Sequence, residues 1–72
     1  MTRRSENARQ ALNVYCLSKN EPLDTLETGI IDLLTDLLHL ARVEGLDAFQ
    51  LSRIAAQHFQ VEKETALIQH ER

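Results

Sequence analysis

The residues best placed to do chemistry are Asp32, Asp36 and His39, which follow one another at intervals of four and three positions. On a helix these intervals bring all three side chains onto one side, and Asp-x-x-His spacing occurs in the metal sites of helical bundles. A functional metal site also needs ligands from a facing helix and protection from water. The sequence contains no matching pair elsewhere. We therefore expect a solvated polar cluster with local Asp–His and Asp–Arg contacts, and no bound metal.

Two other reactive side chains lie on separate segments. Cys16 is the only cysteine, which excludes an internal disulfide, and we expect it to be a small packed side chain in a reducing compartment. His58 stands between Ala55 and Phe59 and is expected at the edge of the core, bonded to a backbone carbonyl. No nucleophile has an orienting partner, so we expect neither catalytic residues, enzyme activity nor a cofactor.

The length and the net charge of the chain limit the classes of protein to which it can belong. A chain of 72 residues is expected to form one small helical domain over 1–72, with a core that contributes only about 3–5 kcal/mol. A second copy of the chain is the remaining way to add stability, because disulfides and clustered metal ligands are missing. The net charge of -3, with no basic block larger than Arg3-Arg4, argues against nucleic acid as a partner.

The apolar segments are too short or too interrupted to cross a bilayer. Asp32, Asp36, His39 and Arg42 break the most apolar stretch, so we expect no membrane association. The polar residues at the start of the sequence do not read as a secretory signal, and we expect a cytoplasmic protein.

Three helices are predicted, since Gly and Pro are rare and no alternating apolar and polar run supports a strand. The first spans about Ser5 to Ser18, with Ser5 as its N-cap. It should end at Asn20-Glu21-Pro22, because proline cannot continue the hydrogen-bond ladder.

The second and third helices are marked by capping residues. Asp24 and Glu27 predict a capping box at the start of the second, which should extend to about Glu44 before a left-handed Gly45. Asp47 is the predicted N-cap of the third, with Gln50 as its partner, and this helix should end between Phe59 and Gln69. The short joint predicts an antiparallel helical hairpin within an all-α fold.

Apolar residues cover about half the circumference of the second helix: Leu26, Ile30, Ile31, Leu33, Leu34, Leu37, Leu38, Leu40 and Ala41. Packing against one neighbour requires a narrower apolar surface. We therefore expect helices one and three on one flank of this helix and a second molecule on the other. The row Ile30, Leu33, Leu37 and Leu40 should meet helix three. Ile31, Leu34 and Leu38 are the predicted interface of a homodimeric bundle, or of a complex with a protein partner.

The segment from Ile54 to Thr65 resembles a helix-turn-helix, with Gln60 where the turn would fall and Thr65 opening a recognition helix. This resemblance implies a DNA-binding protein as the alternative function.

A longer resemblance runs from Ile31 to Glu62. The Asp36-Leu37-Leu38-His39 helix, the Gly45-Leu46-Asp47 turn and the Ala56-Gln57-His58-Phe59 ending are similar to small bacterial and phage helical proteins, a domain of unknown function. This resemblance implies a helical hairpin in a bacterial cytoplasm, and it does not imply any particular activity.

The spacing of Asp32, Asp36 and His39 is also similar to the all-α nucleotide pyrophosphohydrolases, although their paired Glu motif is missing. That resemblance implies a metal-dependent nucleotide hydrolase as a further alternative.

Overall fold

The computed structural model describes residues 3–21 and 24–68, with side chains described as far as Lys63. These residues form three α-helices and no strand. Helix α1 is Arg3–Ser18, α2 is Leu26–Val43 and α3 is Ala48–Ile68. The predicted all-α class with three helices is confirmed.

The chain divides into two compact units, and the boundary falls within α2. The first contains α1 and α2 as far as Asp36, and the second contains α2 from Leu37 onward together with α3. Leu12 (4% exposed) is buried in the first unit and Ala41 (6% exposed) in the second, and they are the only buried apolar side chains among the described residues. Each unit therefore removes little apolar surface from water by itself.

Helix α1 differs from the prediction at its start and in the way it ends. It begins at Arg3, so the assignment of Ser5 as N-cap is wrong, since Ser5 already lies inside the first turn. The helix ends at Ser18 as predicted, but Asn20 makes the termination by adopting a left-handed conformation (φ 56°). The Asn20 N–H donates to the Leu17 carbonyl (3.0 Å) and the Glu21 N–H to the Cys16 carbonyl (3.3 Å), a Schellman motif. Pro22 lies outside the described residues.

The N-cap of α2 is Thr25, and the prediction of Asp24 is wrong by one residue. The Thr25 hydroxyl oxygen accepts the N–H of Thr28 at 3.0 Å, and the Thr25 carbonyl accepts the N–H of Gly29 at 2.9 Å. The Thr25 hydroxyl also donates to the Thr28 hydroxyl at 2.8 Å. Aspartate and threonine both cap helices well. The hydrogen bonds from the N–H groups of Thr28 and Gly29 identify Thr25 as the cap.

Gly45 ends α2 in the left-handed conformation that the sequence predicts, with φ of 77°. Its N–H donates to the Arg42 carbonyl (3.1 Å), and the Leu46 N–H donates to the Ala41 carbonyl (2.8 Å), which completes a second Schellman motif. The last residue of the helix is Val43, one before the expected Glu44.

The start of α3 confirms the predicted cap. The Asp47 carboxylate accepts the N–H of Gln50 at 3.0 Å, and the helix then continues to Ile68, inside the predicted range. It passes through Gln60 without interruption, so the turn of the proposed helix-turn-helix is wrong. No helix in the described part of the chain has the length and hydropathy to cross a membrane.

Candidate functional site

The side of α2 that bears Asp32, Asp36 and His39, here called the polar side, is where α1 attaches. The Tyr15 hydroxyl donates a hydrogen bond to Asp36 Oδ2, and Lys19 Nζ lies 3.7 Å from Asp32 Oδ2. A solvated cluster with local contacts was expected there; Asp36 is exposed, and its contact with Tyr15 and that of Asp32 with Lys19 were not predicted. Periodicity places polar residues on a common side but does not show which other helix contacts them.

Lys19 links the two contacts into one group. Its Nζ lies 4.9 Å from the centre of the Tyr15 ring and 3.7 Å from a carboxylate oxygen of Glu21. The hydrogen bond to Asp36 raises the pKa of Tyr15, and the contact with Tyr15 raises the pKa of Lys19. Solvent screens such exposed pairs strongly, so they serve to orient α1 more than to stabilise it.

These contacts come from one side of α1 and from Lys19, the residue directly after its end. Leu12, Tyr15 and Lys19 are spaced by three and four positions, which places them in one row along the helix. Leu12 is the buried member, and Tyr15 and Lys19 are half-buried. Val14 and Leu17 point away from this row and are exposed. In the first unit, one apolar anchor and two polar contacts therefore hold α1.

A pocket of about 240 Å³ lies beside these contacts, within the first unit. Both signs of charge are present in its lining, which consists of Tyr15, Cys16, Lys19, Glu21, Asp24, Thr28, Gly29 and Asp32. Sequence reasoning missed this pocket because it requires α1 to lie on the polar side of α2. Cys16 is half-buried in its wall and is not part of a disulfide.

The structure does not bring the candidate ligands together into a metal site. Among the described side chains, no group of three or more His, Cys, Asp and Glu is placed to hold a metal ion. Asp32 instead contacts Lys19, Asp36 contacts Tyr15, and His39 is exposed. His58 is also exposed, so its assignment to the edge of the core is wrong.

The opposite side of α2, here called the apolar side, carries Ile30, Ile31, Leu34, Leu37 and Leu38, all within about 60° of Leu34 on a helical wheel. Ile31 and Leu34 are each 55% exposed, while Leu38 is half-buried. Their role as an interface stays a prediction. Of the row that was expected to meet helix three, Ile30, Leu37 and Leu40 are exposed and Leu33 is half-buried. Neither the predicted interface residues nor the row predicted to meet helix three is fully buried.

The two sides of α2 face nearly opposite directions. At about 100° per residue, Asp32 lies roughly 160° from Leu34 in one sense of rotation, and Asp36 lies roughly 160° from it in the other. Because α1 contacts Asp32 and Asp36, it does not cover the apolar side in the first unit. Helix α1 was expected to share the apolar flank, and that placement is wrong.

Further exposed apolar side chains surround the joint between α2 and α3. Val43, Leu46 and Phe49 lie within ten residues of one another, and Phe49 is 87% exposed. The sequence did not predict these three side chains as a surface.

Comparison of the chain with protein-family models, with curated proteins and with solved structures finds no match. The resemblance to small bacterial and phage helical proteins therefore stays a prediction.

Proposed function

We propose that this chain is a small cytoplasmic interaction module whose apolar side of α2 binds a second copy of the chain. Ile31, Leu34 and Leu38 form the centre of the contact. The predicted antiparallel hairpin of α2 and α3 is part of the same proposal, and its role is to present that side of α2. The protein acts by association and not by catalysis.

One observation carries the proposal. In the first unit α1 is bound to the polar side of α2 through Tyr15 and Lys19, and Ile31 and Leu34 on the other side are left 55% exposed. An exposed apolar row with polar residues beside it is the usual composition of a protein interface. Leaving such side chains in water forgoes stabilisation of about 25 cal/mol per Å², which a partner would recover.

The other two classes of function lack a comparable observation. DNA binding through a helix-turn-helix requires a turn at Gln60. Helix α3 is continuous through that residue. A metal-dependent hydrolase requires ligands in addition to Asp32 and Asp36, whose carboxylates contact Lys19 and Tyr15.

Sedimentation equilibrium at micromolar concentration tests the proposal with Ile31→Glu/Leu34→Glu. Both side chains are exposed, so the substitutions should leave the fold of one copy intact. We expect a wild-type dimer and a variant whose dissociation constant is raised at least 100-fold, because four carboxylates enter one apolar contact. Helical content by circular dichroism should stay unchanged at concentrations where both proteins are monomeric.

The matched control is Val14→Glu/Leu17→Glu. It exchanges two exposed apolar residues of α1 for glutamate, on the side away from α2. This variant should dimerise like the wild type. A folded wild type that is monomeric at every concentration tested would contradict the proposal.

A further inference from the structure

We infer that α1 is a detachable strap, which leaves the polar side of α2 and loses its helical structure in one step while α2 and α3 stay folded. Opening frees the carboxylates of Asp32 and Asp36 from their contacts. It also uncovers Gly29, which is buried and lies about 20° from Asp36 on the helical wheel. This motion takes place within one chain and is independent of the proposed association.

The attachment of α1 is narrow. Leu12 is the only buried residue in Arg3–Ser18, Tyr15 and Cys16 are half-buried, and the other residues of the helix are exposed. Removing one leucine side chain from water supplies a small fraction of the stabilisation that holds an ordinary domain together. Undocking α1 therefore requires much less free energy than unfolding the whole chain.

The polar contacts of α1 with α2 add little to this attachment. The hydrogen bond from Tyr15 to Asp36 is exposed, so water competes for both groups. Lys19 Nζ lies 3.7 Å from Asp32 and also 3.7 Å from Glu21. Because Glu21 is only two positions from Lys19, it remains a partner for the ammonium group when α1 leaves α2. These contacts select the side on which α1 docks, and they make the open state inexpensive.

Helix α1 depends on docking for its helical structure. Arg3 and Arg4 are its first two residues, where positive charge opposes the helix dipole, and Glu6 is the one acidic residue of the first turn. The last turn contains no basic residue. A helix of 16 residues is marginally stable in water without tertiary packing. Undocking and loss of the helix are therefore coupled.

The rest of the chain has support that does not involve α1. Glu27 in the first turn of α2 and Arg42 in its last turn both match the helix dipole. Thr25 caps the start of α2, and Gly45 and Asp47 satisfy the helix ends at the joint with α3. The second unit is compact by itself. These contacts persist when α1 leaves, so the opening is confined to the first helix.

Native-state hydrogen exchange of the full-length protein, followed by NMR at low concentrations of denaturant, tests the strap. The N–H groups from Leu12 to Leu17 should share one opening equilibrium and show at least tenfold less protection than those from Leu51 to Gln57 in α3. Equal protection in the two helices would overturn the inference, because α1 would then open only by global unfolding. Protection that falls gradually along α1, without a common opening, would also overturn it.

Substitution of the buried leucine sharpens this test. Leu12→Ala should lower the protection of α1 at least tenfold further and change that of α3 by less than about twofold, since α3 does not need α1. Leu17→Ala, at an exposed position of the same helix, is the matched control and should leave both helices within about twofold of the wild type. A Leu12→Ala variant that loses protection equally in α1 and α3 would contradict a separate opening of α1.

A milder variant keeps the buried leucine in place. Tyr15→Phe removes the hydrogen bond to Asp36 and retains the ring, so the opening of α1 should become about threefold more frequent. The protection of α3 should stay the same. An unchanged opening equilibrium in Tyr15→Phe would overturn the role of this contact in holding the strap.

Discussion

The two sides of α2 differ in the contacts that they make within the chain. On the polar side, Asp36 accepts a hydrogen bond from Tyr15 of α1, and Asp32 lies 3.7 Å from Lys19, the residue that follows α1 in the same unit. On the apolar side, Ile31 and Leu34 remain more than half exposed. Burial of apolar surface is the main driving force of folding, and the exposed parts of Ile31 and Leu34 do not contribute to it. This difference is the basis of our proposal that the apolar side binds a second copy of the chain.

The largest effect within one chain is expected from Leu12→Ala. Leu12 is the buried anchor of α1, and removing its side chain should lower the free energy of unfolding by about 2–3 kcal/mol. Leu17→Ala, at an exposed position of the same helix, should cost less than about 0.5 kcal/mol. Urea unfolding followed by circular dichroism measures both. Equal losses for the two variants would show that α1 is not held through the row containing Leu12.

A smaller effect is expected from the contact between Tyr15 and Asp36, and it is specific to alkaline pH. The hydrogen bond raises the pKa of Tyr15 above its ordinary value of 10.0. The folded chain thus keeps a proton that the unfolded chain loses. Stability should be unaffected by this group below about pH 10 and should fall as the pH rises through the folded pKa. Lys19, whose pKa is also raised, acts in the same direction.

The chain contains one tyrosine and no tryptophan, so phenolate absorbance reports Tyr15 alone. Its titration midpoint should lie above 10 in the wild type and shift down in Asp36→Asn, because the charged acceptor is gone. Asp24→Asn removes another carboxylate from the pocket without touching that hydrogen bond, and it should leave the midpoint nearly unchanged. The same midpoint in all three proteins would contradict the attachment of α1 to the polar side.

Local signals in the sequence predicted the ends of elements best. Asp47 and Gly45 were correct because a cap and a left-handed glycine depend on a few neighbouring residues. The error at Asp24 has the same origin, since Thr25 caps equally well and residue types alone do not fix the position to one residue.

The attachment of α1 was beyond what periodicity could show. Tyr15 and Asp36 are 21 positions apart, and a hydrogen bond over that distance depends on how the chain turns between them. The apolar surface of α2 predicted that helices one and three would share one of its flanks. The contact instead uses one buried leucine and two polar pairs, for which no spacing rule exists.

The most direct test of the difference between the two sides is the thermal unfolding midpoint of the wild type as a function of protein concentration. A chain that completes its core with a second copy should show a midpoint that rises steadily with concentration, and Ile31→Glu/Leu34→Glu should abolish the rise. A cooperative wild-type transition with the same midpoint at every concentration would contradict the account.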